Sequence, residues 1–382
     1  RFTLNRLRQE IEPVSTGDFM RFLLRWQHVH PETRRQGPQA LAATLAQMEG
    51  FEAPATAWES DILPARVSDY DPAWLDSLCL SGRLAWTRLS ASKSGLGPVK
   101  ASPLSLIGRK QLALWRQERG FEDPSELSAT ARHVMEILSR QGALFFEELA
   151  DTAGLLKTQL ETALAELVAR GLATSDSYQG LRALLTPEHK KQRYRGLSFG
   201  MEEAGRWTLI RVPATTPEAG FNNAAIEHAA SVLLKRYGVM FRALLTREHT
   251  TPPWLDLLRV YRRMEARGDI RGGRFVAGHF GEQFALPDAV ESLRAVRKQG
   301  ADTADVVLSA ADPLCLAGII TPGTRLPALA GNRVLYRGGI PLACLVGKKV
   351  EFLQAPDPAS EWLIHKQLTR HTIPPSLKAY LT

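Results

Sequence analysis

The arginines between residues 259 and 274 have the residue type and the spacing to contact a nucleic-acid backbone. If "PWLDLLRVYRRMEARG" is a helix, at about 100° per residue Arg259, Arg263 and Arg267 fall opposite its apolar side chains, with Arg262 at the edge. Guanidinium groups pair well with phosphate oxygens, and a row of them can follow the backbone of a duplex. These residues predict a DNA-binding face, and the alternative interpretation is a solvated basic surface.

Two further groups of basic residues add to this prediction. Arg271 and Arg274 continue the positive charge into the sequence that follows the helix. The run "HKKQRYRG" is a second DNA-binding candidate, for which a plain charged linker is the alternative. Its basic residues are Lys190, Lys191, Arg193 and Arg195.

The overall charge favours a polyanionic partner. The 382 residues include 48 Lys and Arg against 40 Asp and Glu, a formal net charge of +8, which favours nucleic acid. The three cysteines are far apart among apolar residues, so we expect free thiols in a reducing cytoplasm. Neither a membrane-length apolar run nor metal-ligand spacing is visible. We therefore expect a cytoplasmic, nucleoid-associated protein with no metal site and no membrane partner.

An internal repeat predicts the elements that position these side chains. Three times, an apolar helix ends at a glycine that precedes a strand, at Gly82, Gly171 and Gly268. Glycine just past a helix is the favoured left-handed cap. Three helices followed by a hairpin are typical of a winged helix. The prediction is an α+β fold with tandem winged-helix modules at residues 1–120, 121–196 and 197–300.

Each module contains a stretch that predicts its wing. In the third, Gly272 and Gly273 would form a tight turn between "DIR" and "RFVAG", because glycine supplies the positive φ that such a turn needs, and "EQFAL" would add a strand. In the second, "LATSDSYQGLRALL" would be two short strands around a glycine turn. In the first, "RLAWTRL" and "VKASPLSLI" would be the strands, with a mobile tip at "SASKSGLGPVKAS".

The modules are not equivalent in charge. The third helix of the second module carries Thr158, Thr162 and Glu166 on its outward face, and the corresponding helix of the first contains the acidic stretch "DPAWLDSLC". Neither is a phosphate-binding face, so DNA binding is predicted for the third module. Residues 301–382 change in pattern: short strands with turn signals predict a small antiparallel β-barrel, followed by a tail that begins as a helix.

Five dispersed motifs resemble those of a known family. They are "EPVSTGDFMRFLLRWQHV", "WESDILPARVSDYDPAWLDSLCLSG", "GRWTLIRVP", "GDIRGGRFVAGHFGEQFALP" and "SAADPLCLAGIITPG". Together, and in this order, they resemble the C-terminal part of the bacterial large helicase-related protein, Lhr. The resemblance implies a tandem of winged helices that ends in a β-barrel.

The same resemblance implies a role. The family is an ATP-dependent superfamily 2 DNA helicase that moves 3′ to 5′ and is linked to DNA repair. The chain begins at Arg1 and has no G-x-x-x-x-G-K-[ST] loop, so we expect a fragment whose motor, with its ATP and Mg²⁺, lies upstream, and no cofactor within these residues. The implied partners are duplex or forked DNA and the helicase core in cis, with a homo-oligomer also possible.

A second similarity concerns chemistry. The stretch "QMEGFEAPATAWESDILPARVSDYDP" is similar to the start of the AlkZ-type winged-helix DNA glycosylases, which carry a Q-x-Q or Q-x-D motif where this chain reads "MEGFE". Excision of uracil or an alkylated base would need another carboxylate to orient water or stabilise the sugar cation. Glu52, Glu59 and Asp61 are the nearest candidates, and ordinary surface or capping acids are the alternative.

Arg66 is the positive neighbour that would keep such an acid ionised, and we include it among the candidate DNA-binding residues. The sequence thus supports a leading hypothesis, a DNA-binding module of a repair helicase. Two alternatives stay open, namely a DNA glycosylase and an oligomerisation domain.

Overall fold

The computed structural model describes residues 12–90, 99–116, 126–186, 201, 204–210, 221–300, 302–355, 358–370 and 377. By its contacts the chain divides into two units. The first consists of Arg1–Met48, Asp61–Asp69 and Asn222–Thr372, and the second of Glu49–Ser60, Tyr70–Phe221 and Ile373–Thr382. Each unit is thus assembled from separate segments of the sequence. The predicted boundaries at residues 120, 196 and 300 follow the repeat instead and stay predictions.

The elements of the first predicted module begin with α1 (Thr16–Trp26), where the Ser15 hydroxyl accepts a hydrogen bond from the Asp18 backbone amide. The helices and strands that follow, in chain order, are β1 (Arg35–Gln36), α2 (Gly37–Gln47), β2 (Ala53–Pro54), the short helical segments Ala55–Ala57, Trp58–Ile62 and Leu63–Arg66, β3 (Val67–Ser68), α3 (Pro72–Leu80), β4 (Leu84–Thr87), β5 (Pro103–Gly108) and the short helical segment Leu112–Trp115.

The first predicted wing is confirmed. Strand β5 pairs antiparallel with both β2 and β4 in the second unit, so the sheet order is β2-β5-β4. The β4–β5 pair consists of the two strands predicted from "RLAWTRL" and "VKASPLSLI". Residues 91–98, most of the expected tip, lie outside the described residues. In the first unit, β1 and β3 pair in parallel.

The second module, also in the second unit, has four helices and a three-stranded sheet. Its elements are α4 (Ala129–Gln141), β6 (Leu144–Phe145), α5 (Phe146–Ala153), α6 (Lys157–Ala169), β7 (Ala173–Ser175), α7 (Tyr178–Leu185) and β8 (Arg206–Leu209). The sheet order is β6-β8-β7.

The predicted wing of this second module is wrong. Only its first strand exists as β7, which pairs with β8 in "GRWTL", and the rest of "LATSDSYQGLRALL" is helix α7. The Ser177 hydroxyl caps this helix by accepting from the Gln179 amide. Gly180 lies inside the helix, where an added Cβ would come within 2.6 Å of the Ser175 hydroxyl oxygen. Glycine is needed there for close packing and not for a turn.

The third module, from Asn222 onward, lies in the first unit. Its elements are α8 (Asn223–Tyr237), β9 (Val239–Met240), a 3-10 helix (Arg242–Arg247), α9 (Trp254–Arg267), β10 (Arg271–Gly273) and β11 (Gln283–Ala285), and α10 (Pro287–Gln299) follows. The sheet order is β10-β11-β9. Helix α8 packs against α9 and α2, and α10 packs against α1.

The predicted turn of the third wing is also wrong. Gly272 and Gly273 lie within β10, paired with Phe284 and Gln283, and neither has a positive φ. The connection instead spans residues 274–282, and its positive-φ glycines are Gly278 and Gly281. The prediction that "EQFAL" adds a strand is confirmed by β11.

The predicted repeat is confirmed at its helix ends. Gly82, Gly171 and Gly268 all lie just past a helix, with φ values of 69°, 67° and 84°. In each of the three sheets the last strand in the sequence lies in the middle. That arrangement follows if each module contributes one early strand and then a hairpin, as a winged helix does.

The C-terminal residues form an open antiparallel sheet with a helix. Its strands β12 (Asp305–Ser309), β13 (Arg333–Arg337), β14 (Ile340–Val346) and β15 (Lys349–Phe352) pair in sequence order. Among the described residues no pairing joins β15 to β12, so the predicted barrel is not confirmed. Helix α11 (Pro358–Thr369) buries Ile364 and Leu368 against β13 and β14, which confirms the expected helical start of the tail.

Two further expectations from the sequence concern the cysteines and membrane-spanning segments. Cys79, Cys315 and Cys344 are free thiols, and all three are buried. Within the described part of the chain, no helix combines the length and the apolar character needed to cross a bilayer.

Candidate nucleic-acid interface

Helix α9 is well defined by its sequence. Asp256 lies in its first turn and Arg267 in its last, where each charge complements the helix dipole. Gly268 ends the helix in the left-handed conformation, and its amide donates to the Glu265 carbonyl. The predicted ending at this glycine therefore fixes the position of the arginines that precede it.

One side of α9 is anchored in the core of the third module. Leu257, Val260 and Tyr261 are buried, and the Tyr261 ring lies 5.4 Å from the ring of Phe284 on β11. The Tyr261 hydroxyl donates to the Ala230 carbonyl of α8. The helix thus cannot rotate about its axis without breaking these contacts, so its opposite side stays turned to solvent.

That opposite side carries the predicted arginines. Their side chains are between 51% and 71% exposed, and we call them the arginine face: Arg259, Arg262, Arg263 and Arg267. Each lies within ion-pair distance of one carboxylate, from Asp256, Glu282, Glu227 and Asp269 respectively, at 2.6–3.0 Å. Exposed ion pairs of this kind contribute little free energy, so a phosphate can take the place of the carboxylate.

The basic residues after the helix extend the arginine face. Arg271 on β10 and Arg274 at the start of the 274–282 connection are exposed. No ion pair is found for either among the residues that the structure describes. Their charges are therefore uncompensated locally, which makes this end of the surface the more attractive one for an anion.

The other basic and polar candidates have different placements. Lys190, Lys191, Arg193 and Arg195 lie outside the described residues. On α6, Thr158 and Thr162 are exposed as predicted, but Glu166 is buried and accepts a hydrogen bond from the Ser128 amide. Glu166 therefore does not belong to the outward face. The two threonines on that face carry no charge.

Arg66 is not a DNA-facing residue, which corrects the prediction. Its side chain is fully buried and makes a bidentate ion pair with Asp312, with nitrogen–oxygen distances of 2.6 and 2.9 Å. It also donates to the Ile62 carbonyl and the Gln27 side chain. A buried guanidinium with these partners cannot reach a phosphate, and its role is to join two segments of the first unit.

Glu59 has a similar buried arrangement in the second unit. Its two carboxylate oxygens accept from the Arg182 guanidinium, both at 2.8 Å, and Oε1 also accepts from the Tyr70 hydroxyl at 2.6 Å. Arg182 reaches Asp76 as well, and burial raises the pKa of Asp76 although the arginine opposes that rise. This placement favours a structural role for Glu59.

The other two candidate acids also have backbone or arginine partners. Glu52 is buried, and its Oε1 accepts from the backbone amides of Leu89 and Ser90 after β4. In the first unit, Asp61 lies 3.6 Å from the Arg333 guanidinium. In each case, backbone amides or an arginine nearby in the fold interact with the negative charge of the acid.

A cavity of about 650 Å³ lies in the first unit between α1, α2, α10 and the end of α8. Phe22 and Trp26 supply aromatic walls, Arg35 and Lys235 supply positive charge, and none of the lining residues that the structure describes is a carboxylate. His28 also lines it and adopts a left-handed backbone conformation with φ 57°, which is unusual for a residue with a side chain.

The neutral form of His28 is held in one tautomer. Its Nδ1 lies 3.0 Å from the Thr33 carbonyl, which can only accept, so Nδ1 carries the proton and Nε2 keeps a free lone pair. Burial lowers the pKa of His28, and the charge of Arg35 lowers it further. The neutral ring can therefore accept a proton within a cavity large enough for a nucleobase.

Two segments of the chain match known domains. Residues 220–305 match the model "Large helicase-related protein, winged-helix domain", and residues 14–103 match a second model with the same description. The first match contains α9 and the arginine face. These two segments are winged-helix domains of the Lhr family.

Curated Lhr proteins resemble the chain over most of its length. It is 32% identical over 343 residues to "Lhr helicase/ probable uracil glycosylase" of Mycolicibacterium smegmatis and 28% identical over 398 residues to "Lhr helicase/uracil glycosylase" of Escherichia coli. These alignments cover 82% and 91% of this chain. The chain spans only 22% and 25% of the length of these relatives.

Sequence reasoning missed the residues that depend on distant partners. Arg66 and Asp312 are 246 positions apart, and Arg182 and Glu59 are 123 positions apart. No local spacing signals such pairs, although both Arg66 and Asp312 lie in motifs of the Lhr resemblance. His28 was not predicted as a site residue, because its left-handed conformation follows no local pattern of glycine or asparagine.

Proposed function

We propose that this chain is a DNA-binding module and that the third winged helix contacts the phosphate backbone. The observation that carries the proposal is the arginine face on α9, continued by Arg271 and Arg274. In a winged helix the third helix and the wing are the elements that approach nucleic acid. Here these two elements carry six exposed arginines, four on α9 and two in the wing.

The mode of contact follows from the ion pairs. Each member of the arginine face gives up one exposed carboxylate and gains one phosphate, so the exchange costs little. Counterions released from the DNA then supply most of the favourable free energy. Contacts of this type position a protein on a duplex without selecting a sequence.

The wider role rests on the relatives. We propose that the full-length protein is an ATP-dependent 3′-to-5′ DNA helicase that acts in repair, because its curated relatives are named as Lhr helicases. The motor, with ATP and Mg²⁺, would lie outside this chain and act in cis. The module would hold duplex or forked DNA near that motor, at the nucleoid in the cytoplasm.

DNA binding can be tested with the purified chain. Fluorescence anisotropy is measured with a labelled duplex and a labelled fork at several salt concentrations. The proposal expects binding whose affinity falls steeply and log-linearly with salt. Binding that is absent at low salt would overturn it.

A second candidate function is base excision. The relatives are named as a uracil glycosylase and a probable uracil glycosylase, and the first unit contains a base-sized cavity with the neutral His28. A base rotated out of the duplex would stack on Trp26. As the bond between the base and C1′ of the sugar breaks, His28 Nε2 would accept a proton from the water whose oxygen bonds to C1′, and the departing uracil anion would then take up a proton. Glu52, Glu59 and Asp61 would then support the fold.

Base excision has its own test. Uracil-containing DNA is incubated with the chain, treated with alkali and examined for strand cleavage at the abasic site. The proposal expects cleavage by the unmodified chain and at least tenfold less with His28→Asn, because asparagine tolerates the left-handed backbone but cannot act as a base. Undiminished cleavage by the variant would place the chemistry elsewhere.

A further inference from the structure

The most exposed large apolar side chain in the described residues belongs to the third wing. Phe280 is 89% exposed and lies in the connection between β10 and β11. A phenylalanine in this position has no packing role in the module. The residues around Phe280, however, are held in place by hydrogen bonds and a ring contact.

The residues before Phe280 are fixed from two sides. The buried Gln283 side chain accepts from the amides of Phe275 and Val276 at 2.9 and 2.8 Å, and its Nε2 donates to the Val276 and His279 carbonyls. On the other side, Val14 donates to the Phe275 carbonyl. The loop is therefore preorganised although its tip is exposed.

The residues next to Phe280 complete this support. The His279 ring lies against Phe241, with 4.7 Å between the ring centroids. Gly278 and Gly281 have φ values of 80° and 90°, which bend the chain sharply on either side of the tip. The Arg262 guanidinium of α9 donates to Glu282 at the base of the loop, so the wing lies beside the arginine face. Phe280 thus projects from a rigid support that does not depend on this exposed pair.

We propose that Phe280 is a wedge that stacks on, or inserts between, the bases of the bound DNA. This inference rests on the proposed function, because the arginine face must first bring the wing to the duplex. Apolar side chains inserted at a base step unstack it, and aromatic rings stack on bases of any sequence. Arg271 and Arg274 place positive charge in the same wing, which indicates that the partner of Phe280 is DNA and not a protein surface.

The wedge predicts a preference for DNA whose bases are already loosened. Inserting a ring into a paired duplex costs the stacking of one step, whereas a mismatch or a fork junction has lost part of that stacking. The chain should therefore bind a mismatched or forked duplex more tightly than a matched one. Without Phe280 this difference should disappear.

The test uses the whole chain and DNA with 2-aminopurine at successive positions of a mismatched duplex. The base fluoresces more when it is unstacked, so the unmodified chain should raise the signal at one position. Phe280→Ala should abolish that rise and weaken binding to the mismatched duplex about tenfold. The salt dependence should not change, because no charge is lost.

Two variants control the result. Phe280→Trp keeps an aromatic ring and should restore both the signal and the affinity. Leu329→Ala removes another exposed apolar side chain, 57% exposed and remote in sequence from the wing, and should behave like the unmodified chain. Binding and fluorescence unchanged in Phe280→Ala would overturn the wedge and leave DNA binding intact. Absence of any DNA binding by the unmodified chain would overturn both.

Discussion

Removing the arginine face should change how DNA binding depends on salt. The variant is Arg259→Ala, Arg263→Ala and Arg267→Ala, which deletes three side chains that are each more than half exposed. None of the three supports the core, since the buried side of α9 consists of other residues. We therefore expect the variant to keep its thermal stability and lose phosphate contacts.

The magnitude follows from counterion release. Three lost phosphate contacts reduce the slope of log affinity against log salt by about 2.7. Between 50 and 200 mM salt the unmodified chain should therefore lose about 40-fold more affinity than the variant. The loss at low salt is increased because Asp256, Glu227 and Asp269 no longer have a positive partner and repel the phosphates.

The assay is anisotropy with one duplex at five or more salt concentrations. Two controls separate the site from general charge. Thr158→Ala with Thr162→Ala alters the corresponding helix of the second module and should do little. Removing three exposed cations from α10, by alanine at Arg294, Arg297 and Lys298, matches the charge change at another helix of the same unit.

The outcome that counts against the reasoning is an equal change in slope from the α10 variant. In that case the slope would report net charge and not the arginine face. A complementary variant strengthens the test: Asp256→Asn with Asp269→Asn frees two arginines of their carboxylates and should tighten binding. Weaker binding by that variant would contradict the exchange of carboxylate for phosphate.

Three further predictions concern buried groups. Glu59→Gln should lower the free energy of unfolding by about 1.5–3 kcal/mol in a denaturant titration, because it removes one of the two carboxylates that pair with the buried Arg182; an unchanged midpoint would argue against that role. The free energy of unfolding should fall as the pH decreases below 6.5, since the lowered pKa of His28 means that the unfolded chain binds its proton first. The fall should be smaller in His28→Asn. If the free energy of unfolding depends on pH identically in the variant and the unmodified chain, the prediction is contradicted. Gly180→Ala should destabilise by about 1–3 kcal/mol because its Cβ would crowd Ser175, whereas stabilisation would show an open site.

Sequence periodicity predicted the two sides of α9 better than it predicted the wings. The two sides of α9 were predictable because a helix repeats every 3.6 residues and Gly268 marks its end. The Gly272–Gly273 turn was wrong because glycine, although it favours turns, can also lie within a strand, and the pairing with β11 decides between the two. The turn glycines are Gly278 and Gly281.

The errors in the second module and at Arg66 have a common cause. Gly180 suggested a turn, but close packing against Ser175 inside a helix also requires glycine. Arg66 suggested a surface charge, but its partner Asp312 is distant in the sequence. In each case a tertiary contact decides the role of a residue whose local pattern permits two.

The most direct test of the proposed interface is hydrogen exchange of the whole chain with and without a saturating duplex. We predict that DNA slows exchange at residues 254–267 and 271–285, which include α9 and the third wing. Residues 157–169 of α6 should exchange at the same rate in both states. Protection of α6 with no change at α9 would contradict the assignment of DNA binding to the third winged helix.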